Sequence, residues 1–235
     1  MKRLAPVALV LVFATCVGMA AAAAPPKALM CKAGAKRAVI GGRAQCLRIG
    51  LPCNVRFNTA KPSYTRYGFF CASRIASDPT TLFRVAQPAF APSTCPGLGS
   101  PPPESMAPGF RGVGASPFYV GPYLALDPVA TIWRYPNQPG LLGADGWSVK
   151  FLWYVADEAV PARISITDLD TGQPIAIVVH GEARSREPVL EPATAFAFPH
   201  GNWGSYVVFP HAGCYRLDAH WQPEGAWSLV FSFGR

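Results

Sequence analysis

The sequence predicts a mostly β protein in which a small, disulfide-bonded basic module precedes an antiparallel β-sandwich. Two observations carry this prediction. Residues 25–77 hold ten Lys or Arg, four Cys and no acidic residue, whereas residues 78–235 hold nine basic against thirteen acidic residues, a net charge of −4. From residue 118 onward, apolar and polar residues alternate in short segments separated by turn residues, without a helical period of useful length.

The first 24 residues have the pattern of a secretory signal peptide. Lys2 and Arg3 precede an uncharged apolar run over 4–19, and an alanine tract over 20–24 offers the small residues that signal peptidase requires. The run is too short to span a bilayer comfortably, so we expect no transmembrane segment once the signal is removed. Cys16 leaves an alternative open, because 13–16 partly matches a lipobox and would give a lipoprotein anchored at Cys16.

Residues 25–77 are predicted to form a basic, cysteine-rich mini-domain. Gly41-Gly42 between two short runs predicts a β-hairpin, since glycine adopts the positive φ of tight turns. In 64–71, aromatic residues are interspersed with Arg, and so small a domain needs those rings in its core more than on a ligand-stacking face. Eight cations are candidates for binding a polyanion, with a merely solvated surface as the alternative: Lys32, Lys36, Arg37, Arg43, Arg48, Arg56, Lys61 and Arg66.

Residues 78–110 are rich in Pro and Ser and are predicted to be a linker and packing arm. The run Pro101-Pro102-Pro103 favours an extended chain. Phe83, Val85 and Phe90 indicate that one portion packs along the second module.

Residues 111–235 carry the strand pattern of the sandwich. Apolar residues at every second position of 147–155 share one face, and the same alternation recurs over 215–221 and 227–233. Roughly seven to nine strands over about 120 residues fit an immunoglobulin-like sandwich, and a jelly roll is the alternative topology.

Six cysteines remain once the leader is excluded, and an even number favours disulfides in an exported protein. No C-x-x-C pair is present, which disfavours a zinc site. The spacing does not fix the connectivity. We expect Cys31–Cys46 and Cys53–Cys71 within the mini-domain, and Cys95–Cys214 between the arm and a late strand.

The chain has no established catalytic motif: G-x-S-x-G, H-E-x-x-H and a phosphate-binding glycine loop are all missing. His211, Cys214 and His220 are conceivable metal ligands, but Cys214 is better used in a disulfide. The segment 168–172 has parts of a calcium loop and of an aspartic-peptidase triplet, and a strand-connecting turn explains it better. We therefore expect no enzyme, no cofactor and no metal site.

Aromatic residues near predicted turns are the remaining lead. Trp133, Tyr135 and Trp203 lie among Gly, Pro and Asn, where rings can stay exposed and stack on a saccharide. Rings that fold back over the end of the sandwich are the alternative.

Several segments resemble two groups of exported bacterial proteins. The strand 150–153 (Lys-Phe-Leu-Trp), the run 209–217 and the segment 227–231 resemble the K-x-L-W strand, the F-P-x-x-G-C-W-x-V signature and the terminal S-L-x-F strand of an immunoglobulin-like group whose function is unassigned. Tyr215 stands where Trp is commoner. The mini-domain is similar to a short cysteine-and-arginine unit of exported proteins, through 40–42, 46–48, 52–53 and 64–71. The resemblance implies an extracytoplasmic protein and supplies no catalytic residue.

These observations predict an exported, non-enzymatic binding or adhesion protein that is secreted, periplasmic or on the cell surface. The expected partner is an anionic envelope polymer or polysaccharide, without specific nucleic-acid binding. Two alternatives stay open: a secreted hydrolase or metal-binding protein with an unrecognised site, and a peptidase inhibitor that presents the Arg-bearing loop 54–61.

Overall fold

A computed structural model describes residues 29–74, 78–97, 113–115, 118–122, 125–127, 132–134, 140–155, 161–179, 184–185, 189–190, 196–197, 201–221 and 225–235. The predicted signal peptide with Cys16, residues 98–110 of the predicted linker and Tyr135 lie outside the described residues. The described residues are mostly in strands, with two short 3-10 helices at Val55–Asn58 and Thr65–Tyr67 and no α-helix among them. The mostly β fold class is therefore confirmed.

The strands, in chain order, are β1 Lys36–Ile40, β2 Arg43–Leu47, β3 Phe69–Ala72, β4 Thr81–Ala86, β5 Val113–Ala115, β6 Phe118–Pro122, β7 Ala125–Asp127, β8 Ile132–Arg134, β9 Gly140–Gly143, β10 Gly146–Val155, β11 Ala162–Asp168, β12 Ala176–Val179, β13 Arg184–Ser185, β14 Val189–Leu190, β15 Phe196–Ala197, β16 Gly201–Phe209, β17 Gly213–Trp221 and β18 Gly225–Gly234.

The predicted hairpin at Gly41-Gly42 is present as the antiparallel pair β1–β2, with Ile40 opposite Arg43. One face of the hairpin covers a small core, which we call the hairpin core. It consists of Ala38, Ile40, Leu47, Tyr64, Phe69, Cys71 and Leu82. Aromatic residues of the 64–71 segment thus pack inside, as the size of this unit requires.

Two larger sheets enclose the main core. One runs β13-β12-β16-β10-β9-β4-β3, with β15 on β16 and the pair β5–β6 on β10, and it curls into a half-barrel. The other runs β14-β11-β17-β18-β8-β7, and its β18–β8 pairing is parallel. Alternate residues of β10, from Trp147 to Trp153, point into the main core, as do those of β17 and β18. Within it, the rings of Phe209 and Phe233 stack with their centroids 4.0 Å apart.

Strand β4 connects the hairpin core to the larger sheet, although its residues belong to the predicted linker. Leu82 exchanges backbone hydrogen bonds with Gly50 and Leu51, while Val85 and Ala86 pair with β9. Strand β3, from the basic module, pairs with the other edge of β4. The predicted packing of Phe83 and Val85 therefore takes the form of strand pairing, which also satisfies the backbone polar groups of this segment. The prediction is wrong for the Phe90 side chain, which is 73 % exposed and whose ring centroid lies 4.1 Å from the Arg235 guanidinium.

All three predicted disulfides form: Cys31–Cys46, Cys53–Cys71 and Cys95–Cys214. The first two staple the basic module, and the third joins the arm to β17 across 119 residues of sequence. Three disulfides indicate an oxidising compartment. Among the described residues, none of the helices has the length and apolar character needed to cross a membrane.

Candidate functional site

The eight candidate cations all have exposed side chains, and together we call them the basic surface. Lys36 and Arg37 lie on β1, Arg43 on β2, and Arg56 and Arg66 in the two 3-10 helices. Lys32, Arg48 and Lys61 lie in the connecting segments. Within the described part of the chain, none of the eight forms an ion pair.

Residues 25–77 contain no Asp or Glu, so the module itself supplies no counter-charge to the basic surface. The guanidinium of Arg56 lies 4.6 Å from the centroid of the Phe57 ring, a contact that orients the cation without cancelling its charge. Cations concentrated on a small unit raise the local positive potential and draw anions from solution. This surface is therefore suited to a polyanion.

Arg74 shows the opposite behaviour and does not belong to the basic surface. Its guanidinium makes two hydrogen bonds to Asp145, of 3.1 and 2.5 Å, and its Nε–H donates to Ser148 Oγ at 2.7 Å. The side chain is only 14 % exposed. Arg74 therefore links the basic module to the turn that joins β9 to β10.

A second polar cluster surrounds Asp168, the last residue of β11, which is 2 % exposed. Its Oδ2 lies 3.0 Å from His211 Nε2 and accepts the Thr171 hydroxyl proton at 2.9 Å, while its Oδ1 accepts the Asp170 backbone N–H. The Tyr215 hydroxyl donates to the His211 carbonyl at 2.7 Å. Burial raises the pKa of the Tyr215 phenol, so Tyr215 stays a hydrogen-bond donor.

The surroundings of His211 favour its charged form. Burial by itself lowers the pKa of His211, but the hydrogen bond to the Ala212 carbonyl and the charge of Asp168 outweigh burial, so the pKa lies above its usual 6.5. Nδ1 lies 3.0 Å from the Ala212 oxygen and Nε2 faces Asp168. Only an imidazolium can donate from both nitrogens at once.

In this cluster, one potential metal-ligating atom from each of Asp168, Asp170 and His211 lies within 4.8 Å of the other two. Because both nitrogens of His211 face oxygen acceptors, the geometry fits an ion pair better than a set of metal ligands. The three metal ligands considered from the sequence, His211, Cys214 and His220, do not come together. Cys214 is in a disulfide, and His220 lies exposed on β17. The sequence pattern did not reveal the Asp168–His211 pair, whose members are 43 residues apart.

A cavity of about 670 Å³ lies beside this ion pair. Asp145 and Asp168 line it together with Thr171, Gln173 and Ser185. Both carboxylates already contact cations, Arg74 and His211 respectively. The two acidic groups of the cavity are therefore committed to structural ion pairs.

Two of the three aromatic candidates lie in strands. Trp133 lies in β8 and Trp203 in β16, where the backbone of Trp203 pairs with Trp153 of β10. The turn predicted near Trp203 is instead the first part of β16, which begins at Gly201. Pairing with β10 overrides the turn preference of Gly and Asn there, because strand formation depends on context more than on intrinsic propensity.

Neither a family model nor a curated protein nor a solved structure matches the chain. Its function is therefore inferred from its own residues and geometry.

Proposed function

We propose that this protein is an exported, non-enzymatic binding or adhesion protein that attaches to an anionic polymer of the cell envelope or extracellular space through the basic surface. The observation that carries the proposal is the exposure of eight cations, without ion-pair partners among the described residues, on a unit that has no acidic residue. A structural role for these charges would have produced partners like that of Arg74.

The rest of the chain supports this assignment. Three disulfides suit an oxidising compartment, and the leader-like first 24 residues suit export. The net charge of −4 on residues 78–235 keeps the polyanion on the basic module. In this proposal the two larger sheets form an immunoglobulin-like sandwich that presents the module.

Binding to dextran sulfate and to polygalacturonate, with neutral dextran as the control, tests the proposal. We expect binding to both anionic polymers, none to dextran, and a steep loss of affinity as NaCl rises from about 50 to 500 mM, where exposed charges are screened. The double variant Arg43→Gln/Arg66→Gln should weaken binding by about tenfold, since each surface charge contributes a fraction of the electrostatic attraction.

The matched control removes two cations from outside the basic surface. Arg216→Gln/Arg235→Gln changes the net charge by the same amount, at positions that contact Asp218 and Gln87. This variant should retain nearly the wild-type affinity. Absent binding at low salt, salt-independent binding, or an equal loss in both double variants would reject the proposal.

A further inference from the structure

A pocket of about 330 Å³ opens between the β1–β2 hairpin and the edge of the larger sheet, and we call it the junction pocket. It is lined by Gly34, Ala35, Lys36, Ile49, Tyr67, Gly68, Phe69, Arg84 and Val85. Two of these residues are cations and none is acidic. Cations of two different elements, Lys36 of β1 and Arg84 of β4, thus share one concave surface.

Lys36 projects from the core-facing side of the hairpin. Side chains alternate along a strand, so Lys36 shares a face with Ala38 and Ile40, both of which are buried in the hairpin core. Lys36 itself is exposed because it lies where that core ends and the junction pocket begins.

Arg84 interrupts an apolar row that crosses the larger sheet. Paired residues of neighbouring strands share a face, and the registers place Trp147, Leu142, Arg84 and Phe69 side by side. Leu142 packs on the main core, whereas Phe69 belongs to the hairpin core. An apolar side chain at 84 would bridge the two cores, yet the chain has an exposed Arg there.

The two cations have no compensating charge among the residues that the structure describes. Neither Lys36 nor Arg84 forms an ion pair within the described ranges, and like charges that line one small pocket repel each other. A bound anion would remove that repulsion. The Tyr67 hydroxyl accepts the Val39 backbone N–H at 3.2 Å, which leaves its own proton to donate towards such an anion.

We propose that the junction pocket binds one anionic group, a carboxylate or a phosphate, carried by a single monomer-sized unit of the ligand. Lys36 and Arg84 hold the charge, and Ile49 and Phe69, which also line the pocket, border the carbon skeleton. The volume is at the lower limit of small-molecule sites, which run from about 300 Å³, so it admits one unit and not a chain. This inference rests on the proposed function and gives the polymer a specific anchoring point on the basic surface.

Isotope-edited NMR titration of the purified protein with glucuronate and with glucose 6-phosphate tests the inference, and glucose is the neutral control. The two anions separate a carboxylate preference from a phosphate preference. We expect saturable shifts of the Gly34, Gly68 and Val85 amide signals with at least one anion and none with glucose. Lys36→Gln and Arg84→Gln should each weaken binding by about tenfold, the effect of one charged hydrogen bond.

Arg216→Gln/Arg235→Gln is the control, because it removes two cations that belong neither to the basic surface nor to the junction pocket. It should leave the affinity for the monomer nearly unchanged. Lys36→Met, a second uncharged replacement, should weaken binding as Lys36→Gln does. Unchanged circular dichroism spectra would show that the variants remain folded. No saturable shift with either anion, or an equal loss of monomer affinity in the control variant, would overturn the proposal that the junction pocket binds an anion. Monomer binding without polymer binding would retain the junction pocket and reject only attachment to a polymer.

Discussion

The imidazole of His211 contacts the buried carboxylate of Asp168 at 3.0 Å and thereby joins the turn after β16 to the end of β11. The backbone reinforces this junction, since the Leu169 N–H donates to the Cys214 carbonyl at 2.8 Å. Cys214 is in turn bonded to Cys95 of the arm. One end of the sheet that contains β11 and β17 is therefore held by an ion pair, a backbone hydrogen bond and a disulfide.

The ion pair should make stability depend on pH. Because the pKa of folded His211 is raised, its contribution is fully present below the usual 6.5 and is lost as pH rises through the folded pKa. We expect His211→Gln to lower the free energy of unfolding more at about pH 5.5 than at about pH 8.5. Urea denaturation at both pH values measures the difference.

His220→Gln is the matched control, because His220 is exposed on β17 and outside the Asp168 cluster. It should change the unfolding free energy equally little at both pH values. A cost of His211→Gln that does not vary with pH would contradict the assignment of an imidazolium.

The bidentate contact between Arg74 and Asp145 should be worth more than an exposed ion pair. A double-mutant cycle with Arg74→Gln and Asp145→Asn is expected to give a coupling of about 1–2 kcal/mol, because the partly buried guanidinium loses charged hydrogen bonds. The exposed pair Arg216–Asp218, joined by one 2.9 Å contact, should give roughly 0–0.5 kcal/mol. Equal couplings would show that burial and the two-pronged geometry contribute nothing.

Two glycines with positive φ should respond differently to alanine. Gly146 begins β10 with φ +133°, and a methyl group there would collide with the Phe209 carbonyl, whereas Gly172 has φ +70° in a turn with open space around it. We expect Gly172→Ala to cost about 1 kcal/mol from backbone strain alone. Gly146→Ala should cost roughly 3 kcal/mol or more, because strand pairing must shift as well. Thermal unfolding compares the two, and similar losses would refute the clash.

The sequence patterns predict the elements whose signal is local. Alternation of apolar residues identifies β10, β17 and β18, and Gly41-Gly42 identifies the β1–β2 hairpin, because each pattern is contained within one strand or one turn. The segment 81–86 carries a weaker pattern beside a Pro-rich stretch. It becomes a strand through partners far along the chain, in β3 and β9.

The candidate sites likewise divide into those that local sequence predicts and those that depend on contacts between distant strands. Exposure of the basic surface follows from composition, since a segment with cations and no acids cannot pair them internally. The Asp168–His211 pair and the placement of Arg84 in an apolar row depend on registers between distant strands, which no spacing in the sequence encodes. Trp203 shows the converse, because its Gly- and Asn-rich surroundings predict a turn that pairing with β10 replaces.

The disulfides should differ in their contribution according to the length of chain they close. Cys95–Cys214 spans 119 residues and Cys31–Cys46 spans 15. In the chain-entropy model, closing about 100 residues stabilises by roughly 4.7 kcal/mol and closing about 15 by roughly 3 kcal/mol. Cys95→Ala/Cys214→Ala should therefore lower the unfolding free energy by about 1–2 kcal/mol more than Cys31→Ala/Cys46→Ala, measured in urea without reductant. If the short-loop variant is the less stable one, local packing of the basic module outweighs loop entropy, and the third disulfide is not the main constraint on the unfolded chain.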